Sequence, residues 1–308
     1  MRIYTLNEKP NLFSKLKPLL NKSLKNDFIT DHMLMRCTFN DPNYNPKLTF
    51  LAIEDNELIG VLIGVERTKS PREVVEAQRN IAWVKVIAIH PKYKDKPIFK
   101  NLLTTFLNEI KGKNEIRVAN FAIWHFHPGV DIEYEYYLNK YMANGFKKYG
   151  EVIDYHVNLK YFHTPNRIIL TEKRLKENGL SFKLASHKHL KDIKKWININ
   201  FSPYWALEAE TAVKEDHGGL WICHNKEGNI IGFSAYGALE PNWLGPIGVI
   251  KDARHLGIGS TLLFKSLNSL RLNGIRHAII PWTRHLFFYS QIPGITEIRH
   301  YHLLKLTL

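Results

Sequence analysis

Cysteine is nearly absent from this chain: Cys37 and Cys223 are the only two in 308 residues. Two thiols build neither a disulfide framework nor a zinc knuckle. Long apolar runs are missing as well. None approaches the roughly 20 residues that span a bilayer. The opening Met1-Arg2-Ile3-Tyr4-Thr5-Leu6-Asn7-Glu8-Lys9-Pro10 lacks the apolar centre of a signal peptide. Acid is scarce beside base, 29 residues against 43, a formal charge of +14. The excess is spread over both halves of the chain and not gathered in a tail. Such a spread favours anionic ligands in general, whether a polyphosphate, RNA or an anionic surface. No aromatic-basic RNA signature accompanies it, so specific nucleic-acid binding is not expected. These absences describe a soluble cytoplasmic protein with no membrane partner, as a monomer or a homodimer.

What is present is a globular composition, 44% hydrophobic, enough for two ordinary cores or one large one. The signals also come in the same order twice. In the first half, strand-like runs at 48–53 and 58–65 flank the turn Asp55-Asn56-Glu57, and a Val/Ile-rich run follows at 81–89. A helix comes next, with Ile98, Phe99, Leu102, Leu103, Phe106, Leu107 and Ile110 on one face. In the second half, runs at 220–224 and 230–236 flank Asn225-Lys226-Glu227-Gly228-Asn229, and a third run lies at 244–250. Leu262, Leu263, Leu267 and Leu270 then mark a helix, Gly274 ends it, and 278–282 reads as a further strand. Residues 87–103 and 247–263 align without a gap, which pairs Lys94 with Arg254, Pro97 with Gly257 and Phe99 with Gly259. Thr164-Pro165-Asn166 breaks regular structure, and 170–178 reads as a linking helix. The expected division is 1–162, a linker at 163–180, and 181–308.

The segment with the most chemistry is Gly248-Val249-Ile250-Lys251-Asp252-Ala253-Arg254-His255-Leu256-Gly257-Ile258-Gly259-Ser260. It runs from a strand through a short loop into a helix. The first amides of a helix have no partner in the chain and carry the positive end of its dipole. Gly257 and Gly259 add no side chain to obstruct a phosphate, so the turn reads as an anion cradle able to hold a pyrophosphate. A Walker loop is excluded, because no Gly-Lys-Ser/Thr follows.

Arg254, Gly257 and Gly259 resemble the acetyl-CoA motif of the GNAT acetyltransferase superfamily: Gln or Arg, two residues, Gly, one residue, then Gly or Ala. The resemblance implies an α+β (α/β mixed sheet) fold of two tandem GNAT-like domains, each a central, mostly antiparallel mixed sheet flanked by helices. It implies that acetyl-CoA is the acyl donor, with its pyrophosphate on the backbone of Arg254, His255, Leu256, Gly257, Ile258, Gly259 and Ser260. It also implies a splayed strand at Ile247, Gly248 and Val249, with the Val249 amide pairing with the pantetheine arm and polarising the thioester. Tyr289 in Phe287-Phe288-Tyr289-Ser290-Gln291-Ile292-Pro293-Gly294 resembles the family's tyrosine that protonates the departing thiolate. The glycine follows here after five residues, with Pro293 between, where the family places it after four.

The first half retains the pattern, down to Tyr141-Met142-Ala143-Asn144-Gly145-Phe146, but Pro97 has no N–H and Phe99 sets a ring in the cradle. That resembles a tandem GNAT protein with a degenerate N-terminal domain. The implied function is an acetyl-CoA-dependent N-acetyltransferase acting on a primary amine of a small molecule or peptide. The alternative is a non-catalytic module of the same fold that binds acyl-CoA or docks a partner. A base must take the amine proton. The strand 244–249 carries no carboxylate, which leaves Glu240 as the first candidate and Glu210, Asp216 and His217 as others. The stretch 202–210 mixes aromatics with acids. It is open to two readings, a loop over the acceptor or a helix that buries Tyr204 and Trp205. His125-Phe126-His127 and His300-Tyr301-His302 would each place two rings on one strand face, but no third ligand is spaced for a metal.

Overall fold

The computed structural model describes residues 1–308, and they form two compact units, Met1–Val152 with His300–Leu308, and Ile153–Arg299. The second unit begins ahead of the stretch read as a linker, and the chain's final residues belong to the first. The reason lies in α6 (Asn166–Glu177). Pro165 precedes a helix here and does not end one. Ile168 and Leu175 are buried in clusters formed by second-unit residues, so this segment is part of that unit's core.

In the first unit, β1 (Arg2–Thr5), β2 (Thr49–Glu54), β3 (Glu57–Glu66) and β4 (Ile81–Ile89) form an antiparallel sheet in sequence order. β5 (Glu115–Val118) adds to β4 in parallel, through the pairs from Ile81↔Glu115 to Val84↔Val118. The helices α1 (Phe13–Ser23), α2 (Asp31–Cys37) and α3 (Arg72–Val75) come before β5. So does α4 (Ile98–Glu109), whose close approach to β3 depends on two glycines. A Cβ at Gly60 would lie 2.8 Å from Ile98, and one at Gly64 would lie 2.3 Å from the ring of Phe106. β6 (Val130–Asp131) and α5 (Glu135–Ala143) follow, then β7 (Lys147–Asn158), which crosses from the first unit into the second. At Lys85 the β3–β4 register slips by one residue. Its buried ammonium donates to Asp41 at 2.5 Å and to the Cys37 carbonyl at 2.8 Å.

The second unit repeats the plan. After α6 come β8 (Ser181–Leu184), α7 (Leu190–Asn200) and α8 (Pro203–Lys214). β9 (Gly219–His224), β10 (Ile230–Tyr236) and β11 (Leu244–Val249) complete an antiparallel sheet of order β11-β10-β9-β8. α9 (Ile258–Leu272) lies on this sheet, with Leu262 and Ile258 against Gly232, where a Cβ would meet them at 3.2 and 3.3 Å. A buried bond joins Ser266 on α9 to Ser234 on β10. β12 (His277–Thr283) pairs antiparallel with residues 153–158 of β7. α10 (Leu286–Tyr289) and β13 (Ile295–Thr307) close the chain, and the far end of β13 pairs with β5 and β6 in the first unit. Each unit is thus a mostly antiparallel mixed sheet flanked by helices. No helix is long and apolar enough to cross a membrane.

Candidate cofactor site

β11 has hydrogen-bonded neighbours along one side only. On the other it meets β12 at a single parallel bridge, Trp243↔Ile279, reinforced by the Ile279 amide donating to the Asn242 carbonyl at 2.9 Å. Beyond the bridge the two strands part. Both bulge at the same level as they do so. On β11, Gly245 and Pro246 stand opposite Ala235 alone, between the pairs Ser234↔Ile247 and Tyr236↔Leu244. On β12, Pro281 and Trp282 stand opposite Asp154 alone, between Ile280↔Tyr155 and Thr283↔Ile153. A proline cannot donate to a ladder, and an extra residue turns the strand. The result is a wedge that opens from residue 243 toward residue 249.

The ladder also decides which amides face this wedge. Ile250 donates to the Ile231 carbonyl, so Gly232↔Val249 is a non-hydrogen-bonded pair, and the amides and carbonyls of Val249 and Ile247 point away from β10. The Val249 carbonyl accepts from Arg254 Nε at 3.1 Å. Gly248 faces the opposite side of the sheet, where Phe201 presses within 2.6 Å of its absent Cβ.

At the wide end stands the tip of α9. Its N-cap, Gly257, has φ +96°, and no side chain caps the helix. His255 is also left-handed, at φ +64°. A Cβ on Gly257 would come within 2.5 Å of Thr171, and one on Gly259 would sit 3.4 Å from the Phe288 ring and 3.7 Å from Val249. Gly257 and Gly259 thus add no Cβ at the start of α9, whose tip no side chain caps, and the exposed Arg254 is tied to the Val249 carbonyl close by. That arrangement fits a diphosphate. Arg254, His255 and Leu256 are exposed, Gly257, Gly259 and Ser260 are half-buried, and Ile258 is buried in the core beneath.

Tyr289 is buried on α10. Its hydroxyl bonds Thr283, and burial, with Tyr155 beside it, raises the phenol well above its ordinary value despite that bond. Counting in parallel from the 243/279 bridge, Thr283 lies at the level of Ile247, inside the wedge. Glu240 is 3% exposed, in the turn just before the bridge. Glu210 is committed elsewhere. Burial opposes its ionisation, but hydrogen bonds from Lys194 and Lys214 outweigh this and hold its carboxyl below the usual range. Asp216 is exposed and His217 half-buried.

Residues 190–286 match the model of the acetyltransferase (GNAT) family. No curated protein matches the chain by sequence, whereas many solved structures share its fold. A GCN5-related glucosamine N-acetyltransferase region in a fungal multi-domain GH3 β-N-acetylglucosaminidase is 15% identical with a TM-score of 0.77, over 99% of this chain and 37% of that one. This chain therefore spans a little over a third of that protein's length. A GCN5-related N-acetyltransferase from Sphaerobacter thermophilus is 11% identical with a TM-score of 0.67, over 97% and 93% of the two chains. A tandem GNAT protein from the clavulanic acid biosynthesis pathway is 11% identical with a TM-score of 0.66, over 99% and 98%. At these identities the likeness is one of fold, and the fold is the tandem GNAT arrangement.

In the first unit the corresponding GNAT wedge is filled by the chain itself. β4 leaves β5 after Val84, as β11 leaves β12. Ile89, which aligns with Val249, donates its amide to the Tyr137 hydroxyl at 3.0 Å. Phe99, in the place of Gly259, is buried with its ring 4.9 Å from that of Tyr141. Lys94, in the place of Arg254, lies 4.8 Å over the Tyr136 ring. The loss of the cradle read from Pro97 and Phe99 is accompanied by three tyrosines of α5: Tyr141, which opens the retained Tyr-x-x-x-Gly-Phe pattern, and Tyr136 and Tyr137, which no pattern marks.

Of the two readings of residues 202–210 the helical one holds, with Tyr204 and Trp205 half-buried: Ser202 caps α8 by accepting from the Trp205 amide at 3.2 Å, and Pro203 occupies the first turn. One other reading changes. Residues 125–127 lie outside any strand, in the segment between β5 and β6, so the two histidines share no strand face. Three residues beside the wedge escaped sequence reasoning: Arg174, Trp282 and Asp154. Arg174 donates to the Leu256 carbonyl at 3.3 Å. No pattern marks it, because it lies far upstream of the motif it touches.

Proposed function

We propose that this chain transfers an acetyl group from acetyl-CoA to a primary amine of a small molecule or peptide. The observation that carries the reading is the wedge between β11 and β12, with the uncapped tip of α9 at its wide end. In this reading, the α9 tip and Arg254 hold the diphosphate, and the pantetheine arm lies along β11 as an added strand. The Val249 N–H donates to the thioester carbonyl and stabilises the oxyanion formed on attack. The amine nitrogen bonds to the acetyl carbon, the carbon–sulfur bond breaks, and Tyr289 gives the departing thiolate its proton. A raised phenol remains protonated through the neutral range. Loss of activity from this group therefore sets in only above its ordinary value near 10. Glu240, a buried carboxylate in the turn leading into β11, takes the amine proton. The structural neighbours are N-acetyltransferases, which supports the reaction class, and a glucosamine N-acetyltransferase region among them makes amino sugars a first choice in an acceptor panel.

The test is acetyl-CoA turnover, read as free thiol released, against a panel of amines. Tyr289→Phe should lower kcat by about 10²-fold with the KM for acetyl-CoA nearly unchanged. Glu240→Gln should lower kcat by about 10²-fold with acetyl-CoA binding nearly unchanged. Tight acetyl-CoA binding with no turnover on any amine would favour the acyl-CoA-binding module. Absence of binding would end both readings.

A further inference from the structure

Trp282, like His255, is a residue other than glycine near the wedge with a left-handed backbone. Its φ is +53°, a left-handed conformation that glycine takes freely and a bulky side chain avoids. Its counterpart on the facing strand, at the same level of the wedge, is the Gly245-Pro246 bulge, where a glycine takes the unusual φ of +138°. On β12 a tryptophan stands in that kind of place. Such a conformation persists only where something fixed holds it, and here the fixture is visible. The Trp282 amide donates to Asp154 Oδ1 at 2.7 Å. Asp154 is buried, and it is the single β7 residue opposite the two-residue bulge. Pro281 has no amide to give, so the Trp282 N–H is the donor through which the bulge can be anchored to β7.

We propose that Asp154 is a positioning residue: by clamping the Trp282 amide it fixes the bulge that turns β12 away from β11, and so holds open the slot that admits the acyl donor. This rests on the transferase reading above. Without the clamp, Trp282 relaxes toward an ordinary strand conformation. The bulge loses its definition, and β12 is free to continue alongside β11 past the 243/279 bridge, closing the wedge over the Val249 amide. Asp154 acts through backbone geometry, not on the substrate. An uncharged oxygen acceptor serves as well as a carboxylate, and a residue at 282 with no left-handed penalty makes the clamp dispensable.

The experiment is a double-mutant cycle on the full chain, read by calorimetric binding of acetyl-CoA and by kcat and KM. Asp154→Ala should weaken acetyl-CoA binding about ten-fold or more, with kcat at saturation much less affected. Asp154→Asn keeps an oxygen toward the amide and should bind like the parent. In a Trp282→Gly background, glycine holds the left-handed φ unaided, so adding Asp154→Ala should cost less than about two-fold. Equal losses from Asp154→Ala in both backgrounds would overturn the proposal, and so would an Asp154→Asn variant as impaired as the alanine. Should Asp154→Ala fail to fold alone, the Asn variant and the double variant decide the matter by the same criteria. A parent chain that does not bind acetyl-CoA would instead refute the transferase reading.

Discussion

Single atoms decide the α9 tip. A Cβ on Gly259 would stand in ordinary contact with Phe288 and Val249, so alanine fits there, as the family motif allows. Gly259→Ala should leave acetyl-CoA affinity within about three-fold and add slightly to helix stability. Gly259→Phe, which copies Phe99 of the first unit, should abolish binding while the chain stays folded. Gly257 differs, being left-handed with Thr171 against it. Gly257→Ala should cost about 1–2 kcal/mol of stability, seen as a lower thermal midpoint, whether or not ligand is added. Calorimetry and thermal melts on the three variants separate cradle from cap. At this scale much was legible in the sequence. Arg254, Gly257 and Gly259 stand out in the sequence by their spacing at a strand-to-helix turn, and the structure places them there, at the start of α9. Asp154 and Trp282 do not stand out, because a strained φ and its anchor are properties of strand register, and neither residue type is unusual for a strand end.

Among the elements, α6 has a consequence beyond its length. Arg167, Thr171 and Arg174 lie at i, i+4 and i+7, one stripe of the helix. Arg167 donates to the Gln291 carbonyl just past α10, Thr171 packs on Gly257, and Arg174 donates to the Leu256 carbonyl. The adjoining stripe, Ile168 and Leu175, is buried, and Glu172 pairs with Lys265 of α9 at 2.9 Å. One helix therefore braces the cradle loop and the segment after α10 together, while the family match begins only at residue 190. Arg174→Ala should weaken acetyl-CoA binding about ten-fold, through a looser loop and a lost cation beside the phosphates, and Lys at this position should recover part of it. An unchanged dissociation constant would assign α6 to stability alone. The sequence marks α6 as a helix through its periodic apolar residues and Gly179. What that helix touches is a long-range matter that periodicity does not encode. The same holds for α8, where Ser202 and Pro203 are a helix start signal that the aromatic content of the segment obscures.

For the whole molecule, the internal repeat was readable because strand, turn and helix signals recur in step, β2, β3, β4 and α4 in one half and β9, β10, β11 and α9 in the other. The unit limits were harder to read, since β7 crosses between units and the chain's end returns to the first. Neither crossing alters local composition. One functional asymmetry follows from the pair of wedges. Titration of the intact chain should show one acetyl-CoA bound per chain, and Gly259→Phe should reduce this to none. A second stoichiometric site would contradict the closed first wedge.

The Tyr137 hydroxyl on the Ile89 amide has a thermodynamic corollary. A side chain is a tenant that never leaves, present at fixed effective concentration whatever the solution contains. The first unit accordingly carries its stabilising guest within its own sequence. On the proposed reading, the second borrows one that is released at every turnover, so only its firmness rises and falls with the supply of acyl donor.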